Sequence, residues 1–167
     1  LRVDSAAGES DSYTGPFAGN GVKAKDLRHA FLLAVPRVQM IETLIKPVKA
    51  DATPLDTQFT FQGTSEYTTI TSGSGFSEYT QGTQADRTAK ALALVKKYYP
   101  TASEASPAVK IKFVHANTTL RNALAKLVAA EAKKAGFDVE DVASPDLFGR
   151  KDNKNAQYDV TMYGFGL

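Results

Sequence analysis

From Asp26 onward, apolar side chains recur at the spacing of one helical face: Leu27, Ala30, Phe31, Ala34, Val35 and Val38. Pro36 interrupts that rhythm. A proline removes a backbone donor and disfavours helical geometry in the residue before it, so the helix is expected to stop near Val35. A second short helix is expected from about Arg37 to Ile45, burying Val38, Ile41 and Leu44 or Ile45, with Pro36 suited to its first turn. Another helix opens at Ala85, marked by Ala89, Leu92, Leu94, Val95 and Tyr99, and ends before Pro100. The clearest unit follows. Val109, Ile111 and Phe113 alternate with Lys110 and Lys112, the period of a strand. Asn117-Thr118-Thr119 then offers cap residues, and Leu120, Ala123, Leu124, Leu127 and Val128 line one face of a helix. Lys133 and Lys134 suit its last turn, and Gly136 stops it. Phe137-Asp138-Val139 begins a second strand. Tyr158, Val160 and Met162 alternate as a third.

Strand, helix, strand at this spacing implies a parallel crossover, and the whole order implies an α/β domain with a mixed or mostly parallel sheet flanked by helices. The three strands are expected in one sheet, with the Leu120–Ala135 helix packed on it. The rest of the pattern is weaker. The opening residues read as one strand at most, then a turn-rich loop through Gly15, Gly19 and Gly21. Between Lys46 and Thr83 there is no helical rhythm. Phe59 and Phe61 alternate with polar neighbours as a short strand, and 63–83 reads as a long surface loop with at most one edge strand around Tyr67–Ile70. Loops of that length often carry binding surfaces. A short helix is expected over Asp146–Arg150, and 151–156 is turn-like.

The 167 residues suit a single domain, 43% apolar and 23% charged. A net charge of +2 argues for neither nucleic acid nor an anionic membrane as partner. There is no cysteine, which excludes disulfides, thiolate nucleophiles and Cys-based metal sites. No signal-peptide pattern opens the chain.

Chemistry-bearing motifs are sparse. His29 and His115 sit on different elements without a ligand-spaced partner and read as surface or strand histidines. Gly73-Ser74-Gly75 lacks the strand-to-helix setting of a nucleophile elbow. The glycines at 15, 19 and 21 match no phosphate or dinucleotide loop. Asp152-Asn153-Lys154-Asn155 lacks the glycine and closing glutamate of a calcium loop and reads as a turn. Asn117-Thr118-Thr119 is a glycosylation sequon whose expected job is capping. Asp138, Glu140 and Asp141 read as the solvated face of their strand. Neither a catalytic set, nor a metal site, nor a cofactor motif stands out, so a binding module is favoured over an enzyme.

Three segments carry a resemblance. Asp26-Leu27-Arg28-His29-Ala30-Phe31-Leu32-Leu33-Ala34-Val35-Pro36-Arg37, the strand and helix from Val109 to Val139, and Tyr158-Asp159-Val160-Thr161-Met162-Tyr163-Gly164-Phe165 together resemble the family 5 extracytoplasmic solute-binding proteins. These serve oligopeptide, dipeptide and nickel ABC importers. Pro36 stands where the family usually has Asp, and Phe165 where it has Trp. The resemblance runs with gaps from about Gly15 to the last residue.

That likeness implies one lobe, the C-terminal one, of a two-lobed periplasmic-binding-protein-like fold. It implies a small peptide or similar solute as ligand, captured with the other lobe, and a membrane permease as further partner. Neither nucleic acid nor a cofactor is implied, and the protein is expected to be a monomer outside the cytoplasm. A signal and lipid-anchor cysteine would lie far upstream. Leu1 and Leu167 would then approach each other at the hinge. Phe165 is the first candidate contact, with Gly164 and Tyr163 beside it, and Arg121 is placed to meet a carboxylate or peptide end. Two other readings stay open. One is a small α/β hydrolase using acids such as Asp138 and Asp159. The other is a cell-surface interaction module using 63–83.

Overall fold

The computed structural model describes residues 1–3, 13–54, 63–73, 75–145 and 158–162. Helix α1 spans Val22–Ala34 and buries Ala24, Leu27, Ala30, Phe31, Leu33 and Ala34; Leu27, Ala30, Phe31 and Ala34 are of the predicted stripe, whose next member, Val35, is half-buried. It starts four residues before Asp26. It ends where Pro36 requires, with Val35 extended at φ −68° and ψ 117°. Two of its last carbonyls are satisfied from outside the helix. Arg37 Nη1 donates to Leu32 O at 2.7 Å, and Gln84 Nε2 donates to Leu33 O at 3.1 Å.

Helix α2, Arg37–Met40, runs on as a π-helical turn over Ile41–Ile45. The expected burial of this segment is not met. Val38 is 40% exposed, and Ile41, Leu44 and Ile45 are half-buried. The segment sits at the periphery, with its π-helical turn against α5, rather than between layers. A second correction concerns 63–83. Around Tyr67–Ile70 the chain forms helix α3, Ser65–Thr71, in place of an edge strand, and a 3₁₀ turn follows over Phe76–Tyr79. Helix α3 buries none of its residues. The 3₁₀ turn is anchored: Tyr79 lies edge-on to His29 at 5.9 Å and under the Arg37 guanidinium at 5.2 Å.

Helix α4, Gln84–Lys96, opens with a reciprocal cap. Thr83 Oγ1 accepts from Asp86 N at 3.1 Å and donates to Asp86 Oδ2 at 2.7 Å. Strand β1 spans Val109–Ala116, helix α5 Thr119–Lys134, strand β2 Phe137–Ser144 and strand β3 Val160–Met162. Helix α5 begins on the predicted cap, Thr118, whose hydroxyl accepts from Arg121 N. It ends at Gly136, where φ is +87°, and a Cβ there would lie 3.2 Å from Ala102 Cβ and 3.3 Å from Val95 Cγ1. The short helix expected over 146–150 and the strand at Phe59 and Phe61 lie outside the described residues.

All three strands are parallel, in the order β2-β1-β3. Val109 pairs with Phe137 at one end and Ala116 with Ser144 at the other, while Phe113, Val114 and His115 pair with Val160, Thr161 and Met162. The protein is therefore α/β, with helices flanking a parallel sheet. Helix α5 touches both α1 and α4, so these three share one layer. Between that layer and the sheet lies an aromatic cluster. Phe31 is 5.5 Å from Phe137 and 5.8 Å from Phe17, and Phe17 is fully buried. Each such ring contributes roughly 1.5–3 kcal/mol on leaving water. Among the described residues, no helix is long and apolar enough to cross a membrane.

A second anchor ties the opening segment to β3. Asp159 N donates to Lys112 O at 2.9 Å, and Lys112 N donates to Asp159 Oδ2 at 2.6 Å. The carboxylate thus takes a ladder position, and β3 starts at Val160 instead of Tyr158. Tyr13 Oη donates to Asp159 Oδ1 at 2.6 Å, and Arg2 N donates to Asp159 O at 2.8 Å. Gly15 has to be glycine here, because a Cβ would sit 2.2 Å from Asp159 Oδ1. Leu1–Val3 therefore run beside the start of β3. Leu167 lies outside the described residues.

Candidate functional site

In an open parallel sheet, strand order decides where a crevice forms. Here the chain moves from β1 to β2 on one side, then returns past β1 to β3 on the other. The reversal lies between β1 and β3, and in such sheets the crevice lies outside the carboxyl ends of the two strands at the reversal. At that edge β1 ends at Ala116, and the turn Asn117-Thr118 leads into α5. The turn is held from both sides. Asn117 N donates to Ser144 O at 2.9 Å, Thr118 N to Ala116 O at 2.9 Å, and Asn122 Nδ2 to Asn117 Oδ1 at 3.1 Å. Asn117, Thr118, Thr119 and Leu120 are exposed, and Asn122 Oδ1 is buried without a hydrogen bond.

Arg121 stands in the first turn of α5, half-buried. Its backbone N–H is used by the Thr118 cap at 3.3 Å. Among the described residues, its guanidinium makes no hydrogen bond or ion pair. It is a cation at the carboxyl edge with donors to spare, suited to a carboxylate or to peptide carbonyls. Tyr163, Gly164 and Phe165, the residues that follow Met162 in sequence, lie outside the described residues. Of the four candidate contacts, Arg121 is the one whose position is described.

Sequence reasoning missed a pair just below this edge. His115 is 1% exposed, and its Nε2 lies 2.6 Å from Asp141 Oδ1 while its Nδ1 lies 3.0 Å from Ala116 O. Each ring nitrogen faces a protein oxygen, so neither is directed at a nucleophile. Asp141 is exposed, as its reading on a solvated face expects, and is also the partner of a buried imidazole. Nothing local signals this, because the two residues are 26 positions apart.

The acids considered for hydrolysis do not converge. Asp138 is exposed on β2. Asp159 is buried, with both carboxylate oxygens engaged. Burial, and then the Asp159 hydrogen bond and charge, hold the Tyr13 hydroxyl well above its ordinary value of 10.0. A buried polar chain also joins α4 to α5. Arg87 Nη2 donates to Gln84 Oε1, Gln84 Nε2 to Thr88 Oγ1, and Thr88 Oγ1 to Glu131 Oε1 at 2.6 Å, with Lys134 Nζ on Glu131 Oε2 at 2.7 Å. It is a fastening between helices, each link hydrogen-bonded to the next, with Arg87 Nε left buried without a partner. Among the described residues no cluster of His, Asp or Glu side chains is placed to hold a metal ion.

No family model, curated protein or solved structure matches the chain.

Proposed function

We propose that this chain is one lobe of a two-lobed extracytoplasmic solute-binding protein, the capture component of an ABC importer for peptides or similar small solutes. The observation that carries the reading is the β1/β3 reversal of a parallel sheet, with an uncommitted arginine and exposed polar residues at its carboxyl edge. In this reading the edge holds its ligand by polar contacts. It offers the Arg121 guanidinium, the Asn117 amide side chain and the Thr118–Thr119 hydroxyls, and Phe165 is the expected aromatic wall. An extended peptide presents the same main-chain donors and acceptors whatever its sequence, so polar edges on two facing lobes grip it broadly. Closure would remove water and strengthen those bonds.

One lobe alone supplies half of the contacts and leaves the ligand's other side in water. Losing ~4 kcal/mol of contact weakens binding about a thousandfold. Calorimetry of the 167-residue chain with short peptides such as trialanine is therefore expected to show no binding tighter than millimolar. Micromolar or tighter binding would mean that the pocket is complete in this chain and would overturn the lobe reading.

A further inference from the structure

At the opposite, amino end of the sheet lies a cavity of about 540 Å³ that the solute-binding reading does not use. Its walls are the turn at Thr14–Pro16, the first turn of α1, Tyr99, and the start of β1. Two lysines line it, Lys23 from α1 and Lys110 from β1, and no Asp or Glu among the described residues does. Lys23 Nζ is held 4.6 Å from the Tyr99 ring centroid, a contact that places the ammonium without neutralising it. Lys110 is exposed and makes no ion pair among the described residues, not even with Asp138, its register partner on β2. The acid nearest in sequence on α1, Asp26, is taken by Lys97 Nζ at 2.7 Å and Tyr98 Oη at 2.6 Å. Gly21 provides no side-chain cap, so the first amides of α1 add to the same positive field.

We propose that this cavity binds a tetrahedral oxyanion, a phosphate or phosphate-ester group, between Lys23 and Lys110. Two ammonium groups bordering one cavity attract a doubly charged anion far more than a monovalent one. The site is independent of the carboxyl edge, and each stands or falls without the other.

The test is an amide chemical-shift titration of the 167-residue chain with inorganic phosphate, against sodium chloride at matched ionic strength. Saturable shifts are expected at residues 21–24 and 108–110. Lys23→Gln with Lys110→Gln should weaken binding about tenfold or more. Each single replacement should weaken it less, and Lys49→Gln, outside the cavity, should leave it unchanged. Both target lysines are exposed, and the single variants serve if the double one does not fold. The proposal is overturned if chloride reproduces the shifts, or if the variants bind phosphate as the parent does.

Discussion

Replacing Asp159 separates a structural acid from a catalytic one. The residue is 7% exposed, and its carboxylate accepts from Tyr13 Oη and Lys112 N, both at 2.6 Å. Asp159→Ala would leave two donors without acceptors. A buried donor left unsatisfied costs roughly 1–3 kcal/mol, and Lys112 is only half-buried, so about 3–4 kcal/mol in total is expected. At about 2–4 °C per kcal/mol for a chain of this size, melting should fall by about 6–16 °C. Asp159→Asn keeps one acceptor oxygen and should cost about half as much. Urea unfolding followed by circular dichroism reads both. Because the residue ties β3 and the 13–21 loop to β1, the Ala variant should also lose amide protection at Lys112. An acid kept for catalysis behaves otherwise, since removing it usually leaves stability unchanged or raised. A loss below ~0.5 kcal/mol in both variants would refute the structural assignment and reopen the hydrolase reading.

Other outcomes follow from the same geometry. Gly136→Ala places a Cβ at φ +87° against Ala102 and Val95 and should cost about 1–2 kcal/mol by urea unfolding; a neutral result would contradict the left-handed stop after α5. Thr118→Ala removes the α5 cap and should cost about 1 kcal/mol, whereas Thr118→Ser should be nearly silent. Tyr13 is held protonated in the folded state, so its contribution is intact below pH ~10 and is lost as pH rises above that value, where the unfolded tyrosine ionises first. A denaturation series from pH 8 to 11 should show this decline, and Tyr13→Phe should flatten it; an unchanged slope would place the titration elsewhere.

The β1–α5–β2 unit was legible because its signals are local. Val109, Ile111 and Phe113 alternate, Thr118 caps, and Gly136 stops the helix, all within one continuous stretch. The α1 stripe was legible for the same reason, although Gly21 carries no capping side chain to mark its true start. Helix α3 was not legible. Apart from Glu66 its residues are Ser, Tyr, Thr and Ile, middling helix formers, and it buries none of them, so no apolar stripe was there to read. The shortening of β3 was hidden because the Asp159 side chain replaces a backbone partner, a substitution that alternation cannot reveal. The His115–Asp141 and Tyr13–Asp159 pairs were hidden by distance along the chain, 26 and 146 positions. Arg121 was singled out from its place early in a helix, and it stands uncommitted at the carboxyl edge. The turn Asn117-Thr118 was read as a cap alone, and its location beside the strand reversal became visible once the sheet order was known.

The most direct test of solute capture is amide chemical-shift mapping of this chain with trialanine at concentrations of tens of millimolar, where half a site still fills. The account expects shifts gathered at 117–122 and around Ser144, lost on Arg121→Ala, with residues 21–24 and 108–110 unmoved. Shifts gathered at the amino end of the sheet, or none at the carboxyl edge, would contradict it.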